Sequence, residues 1–364
     1  MLNKYLDFLK NTQTNLCHRE LPHYSKYYID FSSNDYLGLS KNKTVINAGI
    51  EASIQYGSGA TGSRLLSGNS ELFENFEKQI SIDKHTESAL LFNSGFQANS
   101  GVLECLCDKK TVVIFDMLNH ASMYHGVFAS GATLKRFQHL NYEHLEEIVL
   151  DVKKTTNDII IVSDTVFGMD GDIANIQTLI NLSEKYDTLL YFDEAHATGL
   201  YGKNGYGLTS DFNFNKDKTI IMGTLSKAIG SSGAYIASSA LIKDFLIQRC
   251  RSFIYSTALS PFCIGAAYKS WQMLPHLGKL RNRIINLANK LRTSFDMQEG
   301  TTNIVPIKFK SINNMMKKKE DLQNNGIIVS GIRPPTSPTP RLRIAINAIH
   351  TDTEIEQLIE ILKK

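Results

Sequence analysis

Cysteine is scarce and unpaired in this sequence, with five in 364 residues and no CxxC spacing. An odd number so dispersed builds neither a disulfide framework nor a zinc site, and it suits a reducing compartment. Long apolar runs are missing too. No window approaches the roughly 20 residues that a membrane-spanning helix needs. The opening MLNKYLDFLKNTQ lacks the continuous apolar core of a secretory signal. Nor is there an excess of one charge, since 39 Lys and Arg against 36 Asp and Glu leave +3. That balance argues against a nucleic-acid binder, and the KKK run at 317–319 reads as a solvated helix face. No segment repeats and none is of low complexity. The expectation is a soluble cytoplasmic protein with no metal and no nucleic-acid or membrane partner.

What is present is ordinary globular composition, 42% hydrophobic and 21% charged, in a chain long enough for one large core and a smaller second unit. Its organising stretch is TIIMGTLSKAIGSSGAYIAS, residues 219–238. Two apolar runs flank one lysine, Lys227, set among small residues. Desolvation lowers a lysine's pKa, and a free amine is a nucleophile toward carbonyls. Small neighbours leave room for a flat partner. An exposed loop lysine beside a tight turn is the plainer alternative.

Residues 1–20 read as a helix with Leu2, Leu6 and Leu9 on one face, residues 27–31 as a hairpin-like piece, and 44–56 as a second helix. Residues 57–62 match GxGxxG. A dinucleotide fingerprint needs a strand before it and a helix directly after it. Here a helix precedes, and SRLLSGN follows before the next helix opens at Ser70.

From residue 88, apolar runs recur at 89–92, 112–115, 159–162, 189–192 and 220–222, separated by amphipathic segments such as 176–185. That alternation predicts a parallel sheet covered on both faces. Polar residues end each run: Asn93 and Ser94 ahead of Gly95 and Phe96, then Asp116 and His120, then Ser163 and Asp164, then Asp193 and His196, then Thr224 and Lys227. In an open α/β sheet, ligands bind beyond the carboxyl ends of the strands. Further on, a long helix over 264–294 leads to a strand at 304–309, another helix, GIIVSGI, a proline-rich loop, a strand at 341–346, and a last helix at 354–362 with a Thr351/Glu354 capping box.

An aldehyde cofactor such as pyridoxal phosphate on Lys227 would need four more parts. A buried carboxylate must keep the ring nitrogen protonated, and Asp193 suits that role. A helix N-terminus must hold the phosphate, for which Gly95 and Phe96 stand ready, with Thr224 adding a hydroxyl. His120 suits stacking on the ring, and His196 suits its phenolic oxygen. Taken singly, Asp193 is as well a turn cap, each histidine a satisfied buried one, and Gly95 a turn glycine. Their recurrence at successive strand ends is what favours a site.

FSSNDYLGLS (31–40), GSGATGSRLLSG (57–68), FNSGFQAN (92–99), NHAS (119–122), VFGMDGD (166–172), DEAHATG (193–199), TLSKAIGSSGAY (224–235) and IYST (254–257) together resemble the α-oxoamine synthases, a family of fold-type I pyridoxal-phosphate enzymes. The resemblance implies an aspartate-aminotransferase-like α/β fold, with a mostly parallel sheet in a large domain and a smaller α+β C-terminal domain. The boundaries expected are an arm at 1–43, a large domain at 44–265 and a small one at 266–364. It implies an acyltransferase that joins an amino acid to an acyl thioester carried on coenzyme A or an acyl carrier protein, working as a homodimer. Lys227 would bond the cofactor aldehyde, Asp193 the ring nitrogen and His196 the phenolic oxygen, with His120 on the ring. Gly95, Phe96 and Thr224 would serve the phosphate, with Ser256 and Thr257 reaching it from a second subunit. Arg19, or its neighbour His18 in the other register, would handle substrate with Asn34, His120, Arg333 and Thr336. IRPPTSP followed by RLRIAINAIHT is nearest to the branch that uses L-alanine and a pimeloyl thioester. Departures are Gly168 for the usual serine, Phe73 for a common histidine, and a short loop at 337–340.

Overall fold

A computed structural model describes residues 2–19, 21 and 28–364. Tyr27, part of the expected hairpin, lies outside the described residues, as do the ends of the first predicted helix. The chain divides into two compact units, one of Asp35–Phe167 with Asp172–Arg281, the other of Met1–Asn34, Gly168–Gly171 and Asn282–Lys364.

In chain order, α1 (Asn3–Thr14) and β1 (Ile29–Asp30) come first. Then follow α2 (Lys43–Tyr56), α3 (Glu71–Asp83), β2 (Ser88–Phe92), α4 (Gly95–Leu106), β3 (Val112–Asp116), α5 (Ala121–Ser130), β4 (Thr133–Phe137) and α6 (Tyr142–Val152). After these run β5 (Ile159–Asp164), α7 (Ile176–Lys185), β6 (Leu189–Asp193), β7 (Thr219–Thr224), β8 (Ala234–Ser238), α8 (Ala240–Arg249), α9 (Arg251–Ile254) and α10 (Pro261–Met273). The chain closes with α11 (Gly278–Thr293), β9 (Ile304–Lys308), α12 (Ile312–Asn324), β10 (Ile327–Ile328), β11 (Ser330–Ile332), β12 (Arg341–Ala345) and α13 (Asp352–Lys363).

The large unit holds a seven-stranded sheet in the order β2-β8-β7-β6-β5-β3-β4. β8 alone runs antiparallel to its neighbours. β3, β5, β6 and β7 are buried along their whole length but for Leu189, which is why they read as continuous apolar runs. Short polar side chains start the helices that cover them: Ser94 accepts Gln97 N–H, Asn141 accepts His144 N–H and Asn175 accepts Thr178 N–H. The smaller unit carries the antiparallel sheet β11-β12-β9 and a separate parallel β1-β10 pair.

Two expectations are corrected. The predicted helix over 264–294 is two helices, α10 and α11, with a 3₁₀ turn at Leu274–Leu277 between them. Pro275 sits there and cannot donate the hydrogen bond that a continuous α-helix would require. The helix predicted over 1–20 is shorter, α1 spanning Asn3–Thr14, and Leu2, Leu6 and Leu9 are 73%, 54% and 47% exposed. Both bonds of the Thr351/Glu354 capping box form, at 3.2 and 2.7 Å. Residues 57–62 follow α2 and precede a loop, so the strand that a dinucleotide fingerprint requires is not there.

An ion pair lies inside the large unit. Lys84, at the end of α3, meets Glu194, and both side chains are fully buried. Lys84 Nζ also donates to Tyr206 O and Thr209 Oγ1, each at 2.8 Å. Glu194 accepts Thr209 N–H at 2.8 Å. Burial pulls the Lys84 pKa down, against the attraction of Glu194. Removing one partner of such a pair strands the other charge. Lys84→Met should therefore cost about 3–5 kcal/mol of unfolding free energy, and Lys84→Met with Glu194→Gln should recover part of it. Urea unfolding checks this, and a loss for the single variant below about 1 kcal/mol would refute it.

A second, partly buried cluster joins the ends of β3 and β4. His139 Nδ1 lies 2.9 Å from Asp116 Oδ1, and its Nε2 lies 3.2 Å from Asp172 Oδ2. Burial opposes the imidazolium, but the bonds to Asp116 and Asp172 outweigh it and push the His139 pKa up to about 9. A raised pKa means the native state binds the proton more tightly than the unfolded chain. The stabilisation is thus complete below about pH 6.5, the unfolded value, and is lost as pH climbs toward about 9. The stability gap between wild type and His139→Gln, on the order of 2 kcal/mol after solvent screening, should shrink across that window. A pH series of melting curves reads it, and a gap that stays flat would refute the cluster's charge.

Candidate active site

Lys227 lies in the tight connection from β7 to β8. Its carbonyl accepts Gly230 N–H at 2.8 Å, Ser231 N–H meets Leu225 O at 2.9 Å, and Leu225 N–H meets Gly233 O at 2.9 Å. Gly230 holds φ +71°, and a Cβ there would stand 2.4 Å from Ser40 N, so the turn admits only glycine. So constrained, the half-buried lysine brings Nζ to 2.7 Å from His196 Nε2. His196 is held on its other edge by Tyr36 OH, 2.7 Å from Nδ1.

Asp193, 2% exposed, ends β6. Its Oδ1 accepts Ala195 N–H at 2.8 Å and its Oδ2 accepts Asn99 Nδ2 at 2.7 Å. In register beside it on β5 is Asp164. Burial, and then the neighbouring Asp193 charge, push the Asp164 carboxyl well above the usual carboxylate range. Asp164 Oδ2 also accepts the backbone N–H of His120 at 3.0 Å. His120 caps α5 and is exposed on one side, yet the surrounding protein holds its pKa below the usual value, with Asp193 raising and Lys227 lowering it.

At the start of α4, Ser94 caps the helix and Gly95 lies against β7, where a Cβ would fall 3.7 Å from Thr224 Oγ1. Thr224 and Ser226 share a hydroxyl contact of 2.8 Å. A helix N-terminus beside two hydroxyls suits a phosphate group. With an amine, a buried carboxylate and two imidazoles close by, the donor set fits pyridoxal phosphate. Ser256 Oγ accepts Gln97 Nε2 at 2.8 Å and Thr257 O accepts Asn93 Nδ2 at 2.6 Å, so both lie beside α4 of the same chain. Phe96 is 51% exposed at this edge.

The remaining substrate candidates belong to the smaller unit. Arg19, Arg333 and Thr336 line a cleft of about 890 Å³, shared with His18, Cys17 and Lys319. Arg333 donates to the carbonyls of His18 and Gly331, and its Nε is buried with no partner among the described residues. Arg19 and His18 both line the cleft, Arg19 with an exposed side chain and His18 with its carbonyl on Arg333. Asn34 does not line it; its Oδ1 accepts Arg343 Nη2 at 3.0 Å. The departures have local partners. Gly168 O accepts Arg343 Nε, and Phe73 is buried with the Arg64 guanidinium 4.3 Å above its ring.

Sequence reading missed Asn99, Ser122, Tyr191 and Tyr36, and left Asp164 without a role. A signal for Asn99 was available, since it stands on the face of α4 that buries Ala98, Val102 and Leu103. A polar side chain on such a face requires a partner.

The aminotransferase class I and II model matches residues 26–362. Relatives provisionally named 8-amino-7-oxononanoate synthase include one from Bacillus cereus (strain Q1), 40% identical over 92% of this chain and 86% of its own length. Another, from Rippkaea orientalis, is 37% identical over 93% and 89%. Among solved structures, serine palmitoyltransferase from Sphingomonas wittichii superposes with a TM-score of 0.92 at 25% identity, covering all of this chain and 97% of that one. The Francisella tularensis 8-amino-7-oxononanoate synthase gives 0.80 at 29%, covering 93% and 97%. The fold is the aspartate-aminotransferase-like, fold-type I architecture. The chain belongs to the aminotransferase class I and II family and, within it, to the α-oxoamine synthases.

Proposed function

We propose that this chain condenses L-alanine with a pimeloyl thioester to give 8-amino-7-oxononanoate, carbon dioxide and the free thiol, a step of biotin synthesis in the cytoplasm. The observation that carries the reading is Lys227 Nζ held 2.7 Å from His196, with the buried Asp193 on the neighbouring strand end. The relatives' names favour the alanine branch. The cofactor is pyridoxal phosphate, which supplies an aldehyde for the amine and a ring that accepts electrons.

Lys227 would hold the cofactor by its aldehyde, and its amine, once free, would take the proton from the alanine Cα. Asp193 would hold a proton on the ring nitrogen, its carboxyl oriented by the Ala195 and Asn99 donors. His196 would donate toward the phenolic oxygen, and His120 would cover the ring. Gly95, Phe96 and Thr224 hold the phosphate, joined by Ser256 and Thr257. In a homodimer those last two reach the partner's site, and the exposed apolar side chains Phe96, Met117, Leu118 and Tyr255 favour such an assembly. Arg333 grips the amino-acid carboxylate, with Arg19, Asn34, His120 and Thr336 around the substrate. The acyl group arrives on coenzyme A or a carrier protein.

A second reading is a sister synthase using serine or glycine, favoured by the fit to serine palmitoyltransferase. A non-catalytic partner subunit fits less well, since Lys227 is retained.

The protein should be yellow, and Lys227→Ala should lose the borohydride-reducible bond to the cofactor; a variant that keeps it refutes the lysine's role. Arg333→Ala should weaken alanine binding about thirty- to a hundredfold, the equivalent of roughly 2–3 kcal/mol, while cofactor binding stays intact. Arg333→Lys should rescue little, because an ammonium lacks the planar fork. Crossing alanine, glycine and serine with several acyl thioesters tests substrate choice. Faster condensation with glycine or serine would overturn the alanine assignment and leave the family intact.

A further inference from the structure

A buried polar chain joins His120 to Asp193, and its donors and acceptors can be assigned in only one way. Tyr191 OH lies 2.7 Å from Asn99 Oδ1. Asn99 Nδ2 lies 2.7 Å from Asp193 Oδ2 and 2.9 Å from Ser122 Oγ. Turning the amide over would set its carbonyl oxygen against the Asp193 carboxylate, so the nitrogen faces Asp193. An amide nitrogen donates and does not accept. Ser122 Oγ therefore accepts from Asn99, and its own proton points elsewhere. The neighbour within reach is His120 Nδ1, at 2.7 Å. The Ser122 backbone N–H also faces Nδ1, at 3.3 Å, and a peptide N–H can only donate. Two donors converge on one ring nitrogen, which consequently carries no proton.

We infer that Asn99 and Ser122 are positioning residues that fix His120 as the neutral Nε2–H tautomer and, through the same amide, orient Asp193 Oδ2. His120 then presents only a donor from Nε2, toward an acceptor oxygen of whatever the site binds, while Asp193 stays an acceptor. One relay sets the His120 tautomer and the orientation of the Asp193 carboxyl before any ligand arrives. The charged groups around the ring are Asp193 and Lys227, with Asp164 on the His120 backbone. The relay's catalytic meaning rests on the reading of these strand ends as the cofactor site, but the tautomer itself does not.

The test is a long-range ¹H–¹⁵N correlation spectrum of the full chain with ¹⁵N-labelled histidine, with and without pyridoxal phosphate. His120 is assigned through His120→Gln among the ten histidines. Wild type at neutral pH should show His120 protonated on Nε2. Ser122→Ala should lower the ratio of Nε2–H to Nδ1–H by about fivefold, the equivalent of one hydrogen bond, and Ser122→Thr should restore it. Asn99→Asp should reverse the relay: the Ser122 proton turns to the new carboxylate, and Nδ1 gains the proton. A wild-type spectrum with Nδ1–H or the imidazolium overturns the inference even if no variant folds. Folded Ser122→Ala and Asn99→Asp proteins with an unchanged ratio overturn it as well. A wild type with the expected tautomer that binds no pyridoxal phosphate would refute the proposed function and leave the relay standing.

Discussion

A carboxylate taken almost wholly out of water must be repaid in hydrogen bonds, and Asp193 sets that demand for the large unit. Its two oxygens draw one backbone donor from its own turn and one amide from α4. The amide is steadied by Tyr191 on the same strand and shared with Ser122 on α5. Asp164 lies beside it in register, and burial first, then repulsion from Asp193, makes it keep its proton more readily than a free carboxyl. Below, Glu194 anchors the next residue to Lys84 and the 206–209 segment. Helix starts, strand ends and a buried ion pair thus hold one turn of chain at the sheet's carboxyl edge.

Much of this was legible from residue order. The central strands are buried on both faces, so their apolar runs had no competing explanation, and the polar residues ending them marked the edge that matters. β4 escaped notice because it is an edge strand whose Thr133, Lys135 and Arg136 are exposed. Apolar pattern is silent where one side of a strand meets water. The break between α10 and α11 was written in Pro275 and overlooked.

The pairings were illegible for a different reason. Lys84 meets Glu194 110 residues away, Asn99 meets Asp193 94 away, and Tyr36 meets His196 160 away. No local rule links such positions; only the sheet order does. Motifs told which residue types stand near the chemistry. They did not tell which nitrogen of His120 bears a proton, which depends on a serine two positions on and an asparagine in another helix.

The exposed polar side chains of β4 have a consequence for how copies of the chain meet. A sheet that stops at an open strand offers a row of amides and carbonyls on which a neighbouring molecule can continue the ladder. Lys135 and Arg136 would bring like charges face to face in any such stacking, and Thr133 adds no apolar grip. The outermost strand therefore acts as a guard against runaway polymerisation, and a swap of both cations for valine would turn that border into a template for fibres.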